Sequence, residues 1–322
     1  MMWAKEHRLR VLVWHVHGSW TGAFVHGRHE YLLPGGEWGL GRAGRDWPGT
    51  AREVSPEELR AGGFDVVVLQ RPEEFELLRE WTGLRAGQDV PAVYAEHNTP
   101  TGDVPRTRHF LADRDDIPLA HVTHFNQLMW DSGRAPAVVI EHGVVDPGAR
   151  YTGEEPSAGV VINEPVRRGR AVGTDLLPAF AEAAPLDVYG IGVEKLDLGE
   201  RVRPRGDLGQ EDLHTSVARS RLYLHTTRWT SLGLSLIEAM HLGMPVVATA
   251  TTEAARAVPR EAGVVSADVA ELTQAVRELI AEPELAQRMG KNAREHALAH
   301  YGLDAFLRNW DVLLDRVVGG GS

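Results

Sequence analysis

Short apolar runs of four or five residues recur along this chain, separated by segments in which apolar and charged positions alternate at helical spacing. In the first half the runs are Arg10–Trp14, Asp65–Leu69, Ala92–Ala95 and Ala137–Ile140. A continuous apolar run bounded by turn residues is what a strand buried on both faces of a parallel sheet requires. Glu57–Gly62 and Glu73–Thr82 read as helices between those strands. Around Pro147–Ser157 the composition shifts to Pro, Gly, Glu and Ser, which reads as a linker. A second series follows, with strands at Gly159–Ile162, Leu186–Tyr189, Leu222–His225, Val246–Ala248 and Gly263–Val265. Helices alternate with them at Leu176–Ala183, Glu211–Ser220, Leu234–His241, Ala270–Ala281 and Leu285–Ala299. The pattern predicts an α/β protein of two Rossmann-like halves facing a cleft, residues 1–150 and 151–322. Ligands of such sheets lie beyond the carboxyl ends of the strands, so the loops there hold the candidate chemistry.

Composition narrows the class. At 322 residues, with 43% hydrophobic and 25% charged positions, the chain can bury two cores. Its 45 acidic against 34 basic residues give a net charge of −11, which argues against nucleic acid or an anionic membrane as the main partner. The absence of cysteine excludes thiolate chemistry and a disulfide scaffold, and fits a cytoplasmic protein. Met1–Arg8 has no apolar core of signal-peptide length, and no integral membrane segment is expected.

Residues 226–248 are the densest in information: a polar loop, Gly233-Leu234, a short helix with Glu238 and Ala239, then Gly243, Pro245 and the run Val246–Ala248. A glycine at a helix start lets an anion approach free backbone N–H groups, where the helix dipole favours negative charge. Glu238 lies about one and a half turns further in, within reach of hydroxyls beside a phosphate held at that end. Diphosphate at the glycine and ribose at the carboxylate would hold a nucleotide.

That segment resembles the donor-binding motif of family-4 retaining glycosyltransferases, which have the GT-B fold. The G-L, E-A-M, G and P-V-V-A parts of the motif are present. Its first carboxylate, seven residues before the second, is replaced by Thr230. The resemblance extends through Gly206–Leu213, Ser220–His225 and Pro283–Arg294. Tyr301–Leu314 resembles the family's last helix, placed at about 303–317 and bracing the first domain.

What the resemblance implies for the site is specific. In Ile162–Gly169, Arg168 takes the position of a lysine that grips the donor diphosphate, and Asn163 that of an arginine; Arg167 or Arg170 would supply the missing charge. Glu238, Gly233, Leu234, Ser231 and Thr230 would line the donor site. Thr21 and Gly22 fall in what reads as a glycine-bearing loop after the first strand, where a backbone N–H meets phosphate or acceptor. His97 follows a strand and would lie near the anomeric carbon, with Asn98 and His109 as further acceptor contacts. His124 and His142 rank lower.

Other patterns carry less. His15 and His17 have alternate spacing but no supporting carboxylates, so no metal is assigned there. Asp113 and Asp115 make a formal D-x-D in a charge-dense loop, read as solvated. Arg201–Arg205 reads as a loop. No G-x-S-x-G or Walker sequence occurs. The expectation is metal-independent, cofactor-free transfer of a sugar from a nucleoside-diphosphate sugar to a hydroxyl acceptor, small molecule or glycan. A catalytically silent nucleotide-binding GT-B protein and a GT-B nucleotide-sugar epimerase are the alternatives.

Overall fold

The computed structural model describes residues 8–320. The segment screened for a signal peptide therefore lies almost wholly outside the described residues. The chain divides into two compact units: the residues up to Val145 together with those from Leu303 onward, and Asp146–Gly302.

Unit 1 runs β1 Arg10–Val13, α1 Gly18–Phe24, β2 Glu30–Pro34, β3 Ala51–Val54, α2 Pro56–Arg60, β4 Val66–Leu69, α3 Glu73–Thr82, β5 Ala92–Glu96, β6 Leu119–His121, α4 His124–Met129 and β7 Ala137–Val139. Its strands form one parallel seven-stranded sheet in the order β3-β2-β1-β4-β5-β6-β7. The central strands are apolar throughout because both faces are covered; every residue of Val66–Leu69 is fully buried. β2, β3 and β6 were not expected from the sequence. β3 is an edge strand whose two middle residues, Arg52 and Glu53, are charged and less buried, so it offers no apolar run.

Unit 2 runs β8 Glu155–Val161, α5 Pro165–Arg168, α6 Leu177–Ala181, β9 Leu186–Tyr189, β10 Val202–Gly206, α7 Gln210–Val217, β11 Ser220–His225, α8 Leu234–Leu242, β12 Val246–Thr249, α9 Ala254–Ala257, β13 Gly263–Ser266, α10 Val269–Ala281 and α11 Pro283–His300. These strands form a second parallel sheet, β10-β9-β8-β11-β12-β13. The segment read as a linker is ordered: the Arg150 and Tyr151 N–H groups donate to the Leu242 carbonyl at 3.1 and 3.0 Å, and β8 already begins at Glu155. The segment read as a loop at Arg201–Arg205 is instead the edge strand β10. Its Pro204 fits an edge, and Arg203 and Arg205 each reach the buried Asp187 carboxylate at 2.7 Å. Those arginines are structural counter-ions.

The last helix, α12 Leu303–Gly319, belongs to unit 1 and braces it. It buries Phe306, Trp310, Leu313 and Leu314, with Trp310 edge-on to Trp20 and Phe24 at 5.6 and 5.0 Å. Arg28 clamps Asp311 and Asp315 at 3.1 and 2.8 Å. Among the described residues no helix is long and apolar enough to cross a membrane.

Candidate functional site

In the sheet of unit 2 the direction of strand progression reverses at β8, which pairs with β9 on one side and β11 on the other. Loops leaving the two sides of such a reversal diverge and open a crevice at the carboxyl ends. The loop after β8 contains Asn163, Arg167 and Arg168; the loop after β11 contains Thr230, Ser231 and Gly233. The sequence-designated residues of the second half therefore converge on the switch point. Hydrogen bonds tie the two loops together: Arg228 and Trp229 donate N–H to the Ala171 carbonyl at 2.9 and 3.1 Å, and Thr226 Oγ1 donates to Val172 at 2.8 Å. Gly173, at φ +75°, lies so close that any Cβ would fall on the Thr226 carbonyl oxygen.

Each arginine near β8 has a different fate. Arg170 is engaged by Asp175 at 2.7 Å, and Arg167 lies 3.5 Å from Glu164. Arg168 is half-buried, and its guanidinium makes no hydrogen bond or ion pair among the described residues. Burial, and then the Arg167 charge beside it, lower its pKa. A desolvated cation without a counter-ion is a receptor for an anion. Asn163 does not face a ligand freely: its Oδ1 accepts the Ile191 N–H at 3.0 Å.

On the β11 side, Gly233 caps α8 through its carbonyl, which accepts the Leu236 N–H at 3.0 Å, and no side chain satisfies the N–H groups of the first turn. A Cβ at Gly233 would stand 3.0 Å from Cε1 of His225, so glycine lets the chain pass over that imidazole. Burial lowers the His225 pKa to about 4, keeping it neutral. Ser231 is buried, while Thr230 and Leu234 are half-exposed at the crevice. Tyr223 donates its hydroxyl to Ser235 at 2.9 Å, which pins the first turn of α8.

Glu238 is buried on α8 and touches two residues that sequence reasoning did not single out. Gln210 Nε2 donates to its Oε1 at 3.3 Å, and His214 Nε2 stands 3.5 Å from its Oε2. Both belong to α7, whose opening lay within the family resemblance without pointing to either side chain.

In unit 1 the reversal falls between β1 and β4. His97 follows β5, lies 4.4 Å from His17 with the two rings tilted by 47°, and meets Trp20 edge-on at 4.9 Å. It is buried, its Nε2 lacks a hydrogen-bond partner, and burial, followed by the neighbouring His17 and His142, holds its pKa well below normal. Asn98 is exposed beside it, its carbonyl accepting from Trp130 Nε1 at 2.8 Å. His109 differs from expectation. Its Nε2 donates to Glu96 at 3.0 Å and its Nδ1 accepts the Leu111 N–H at 3.1 Å, so it braces β5 and keeps no ring nitrogen for an acceptor.

Thr21 and Gly22 also differ: they lie within helix α1, fully buried, rather than in a glycine loop. The Thr21 N–H is already spent on the His17 carbonyl at 2.7 Å, and Gly22 faces Trp47. Asp113 is held by Arg108 through two hydrogen bonds of 2.7 and 2.9 Å. Among the described residues no group of three or more histidines and carboxylates is placed to hold a metal ion.

Residues 192–296 match the family model described as Glycosyl transferases group 1, a range that runs from before β10 to most of α11 and includes the α8 motif. Those residues are similar to a group 1 glycosyltransferase domain. No curated protein matches the sequence. Among solved structures, this chain resembles TarM at 18% identity and TM-score 0.62, over 78% of this chain and 54% of that one. It thus spans about half of TarM. Sucrose-phosphate synthase from Thermosynechococcus elongatus aligns at 16% identity over 98% of this chain and its own full length, with TM-score 0.70. HepE from Anabaena, solved in complex with UDP-glucose, aligns at 15% identity over 96% and 100%, with TM-score 0.68. At such identities the likeness is one of fold, and the fold is GT-B.

Proposed function

We propose that this glycosyltransferase moves a sugar from a nucleoside-diphosphate sugar to a hydroxyl acceptor with retention at the anomeric carbon, without a metal ion. Unit 2 holds the donor and unit 1 the acceptor. The observation that carries the reading is Arg168, half-buried in the segment after β8 and without a hydrogen bond or ion pair among the described residues, while the segment after β11, across the switch point, leads into the start of α8. As the bond between sugar and diphosphate breaks, negative charge grows on the leaving oxygen. Arg168 and the N–H groups at Gly233-Leu234 stabilise that charge, and Glu238 accepts from the ribose hydroxyls. On unit 1, His97 offers a neutral imidazole to the acceptor. The UDP-glucose complex of HepE, a protein of the same fold, supports a nucleotide sugar as donor. Thr230 favours a second reading, nucleotide binding without transfer, because it removes a carboxylate that contacts the donor sugar in the resembling family.

The test is thermal stabilisation by a panel of nucleoside diphosphates and their sugars, in the presence of chelator. Ligand at 100 times its Kd adds about 2.7 kcal/mol. One diphosphate is expected to stabilise the protein; Arg168→Ala is expected to remove most of that effect and Glu238→Ala to reduce it. Turnover of the matching sugar then separates transfer from silent binding. A folded protein indifferent to every diphosphate would sink the donor site.

A further inference from the structure

Glu238 is only 6% exposed, and a buried carboxylate must be oriented by its neighbours before it can read a ligand. Two of its neighbours lie on α7. Gln210 approaches Oε1 and His214 approaches Oε2, both at the long end of hydrogen-bonding distance. His214 is itself 5% exposed, and its Nε2 has no hydrogen-bond partner among the described residues. Leaving a buried imidazole nitrogen unsatisfied is unfavourable, because it has lost its hydration without gaining a partner. The arrangement is accounted for when the contact closes on ligand binding, as long hydrogen bonds in unliganded sites do.

We infer that His214, assisted by Gln210, is a positioning residue that aims the Glu238 carboxylate at the ribose hydroxyls and so sets the preference for a ribonucleotide donor. The inference rests on the nucleotide reading of unit 2. His214 touches the carboxylate and not the ligand, so its loss should weaken the ribose contact alone. The base and diphosphate contacts should remain.

The experiment is calorimetric binding of UDP, GDP and ADP and of their 2′,3′-dideoxy counterparts to the full chain. The wild type should prefer the ribose form of its diphosphate about tenfold, equivalent to about 1.4 kcal/mol. Glu238→Ala should erase that ratio. His214→Phe should cut it at least threefold, with dideoxy affinity unchanged, and His214→Gln, whose amide can reach the same oxygen, should restore most of it. Gln210→Ala should have the smaller effect, because Gln210 is exposed and water can replace its amide. An unchanged ratio in His214→Phe, or equal loss for both forms of the ligand, would overturn the inference. A wild type that binds no diphosphate fails the donor site instead; one that binds both forms equally fails the positioning role while leaving the donor site standing.

Discussion

At the scale of single residues, function and stability pull against each other at Arg168. Its guanidinium is partly desolvated, unpaired and next to Arg167, so the ligand-free fold carries like-charge repulsion and a lost hydration shell. Replacing it with glutamine should therefore stabilise the free protein slightly, by roughly 0.5 kcal/mol or about 1–2 °C, because partial exposure screens the charge. The same change should remove most of the stabilisation given by nucleoside diphosphate. Scanning calorimetry with and without ligand reads both signs, and a free protein destabilised by Arg168→Gln would mean the side chain has a structural partner. Arg168 and Glu238 were legible in the sequence because a glycine, a charge and a helix start sit within a few residues of each other. His214 and Gln210 were not. Gln210 and Glu238 stand 28 positions apart, and only the packing of α7 on α8 brings them together. His109 misled for the same reason: its partner Glu96 lies 13 residues away, and the pairing uses both of its nitrogens.

At the scale of elements, the donor helix is held in place by glycines at a crossing. α8 ends in a left-handed turn at Gly243, φ +92°, whose N–H donates to Met240 while Met244 donates to Ala239. Gly290 of α11 lies directly over that turn, and a Cβ there would collide with the Gly243 carbonyl oxygen. A Cβ on Gly243 itself would meet nothing closer than 3.6 Å. The two alanine substitutions therefore test different physics. Gly243→Ala pays only for the left-handed backbone, about 1–2 kcal/mol. Gly290→Ala forces two backbones apart and should cost about 3 kcal/mol, displacing α8 and weakening nucleotide binding with it. Denaturant unfolding compares the pair, and equal costs would mean that α11 can shift without penalty. The periodicity of α8, α10 and α11 made these helices readable in advance. By contrast, α1 hides a helix in Gly-Ser-Trp-Thr-Gly-Ala-Phe, which has two glycines and a β-branched residue. Packing of Trp20 and Phe24 on Trp310 overrides its poor propensity. Likewise β10 carries a proline, a glycine and two arginines, so its strand character comes from pairing with β9 and from the Asp187 clamp.

At the scale of the whole molecule, buried histidines are unevenly divided between the units. In unit 1 burial lowers the pKa of His17 and His121 to about 4 and of His142 to about 3, and holds that of His97 well below its usual range. In unit 2 only His225 is brought down as far, to about 4. A histidine whose folded pKa lies below its unfolded value of 6.5 leaves the unfolded chain binding more protons between the two values. Stability is then fully present above pH 6.5 and is lost as pH falls towards 4, with a limiting slope of about 1.4 kcal/mol per pH unit for each group. Glu74 and Asp311 act in the opposite direction, since burial raises their pKa values, but they are two groups against four. Unit 1 should therefore weaken more steeply than unit 2 between pH 7.5 and 5, a range in which ordinary carboxylates hardly titrate. The tryptophans make this measurable, because Trp229 is the only one in Asp146–Gly302. In a Trp229→Phe variant, fluorescence follows unit 1 while far-ultraviolet dichroism follows both units. On lowering the pH the urea midpoint seen by fluorescence should fall further than the midpoint seen by dichroism. Midpoints that coincide at both pH values would mean that the two units unfold as one and would refute the division of acid sensitivity.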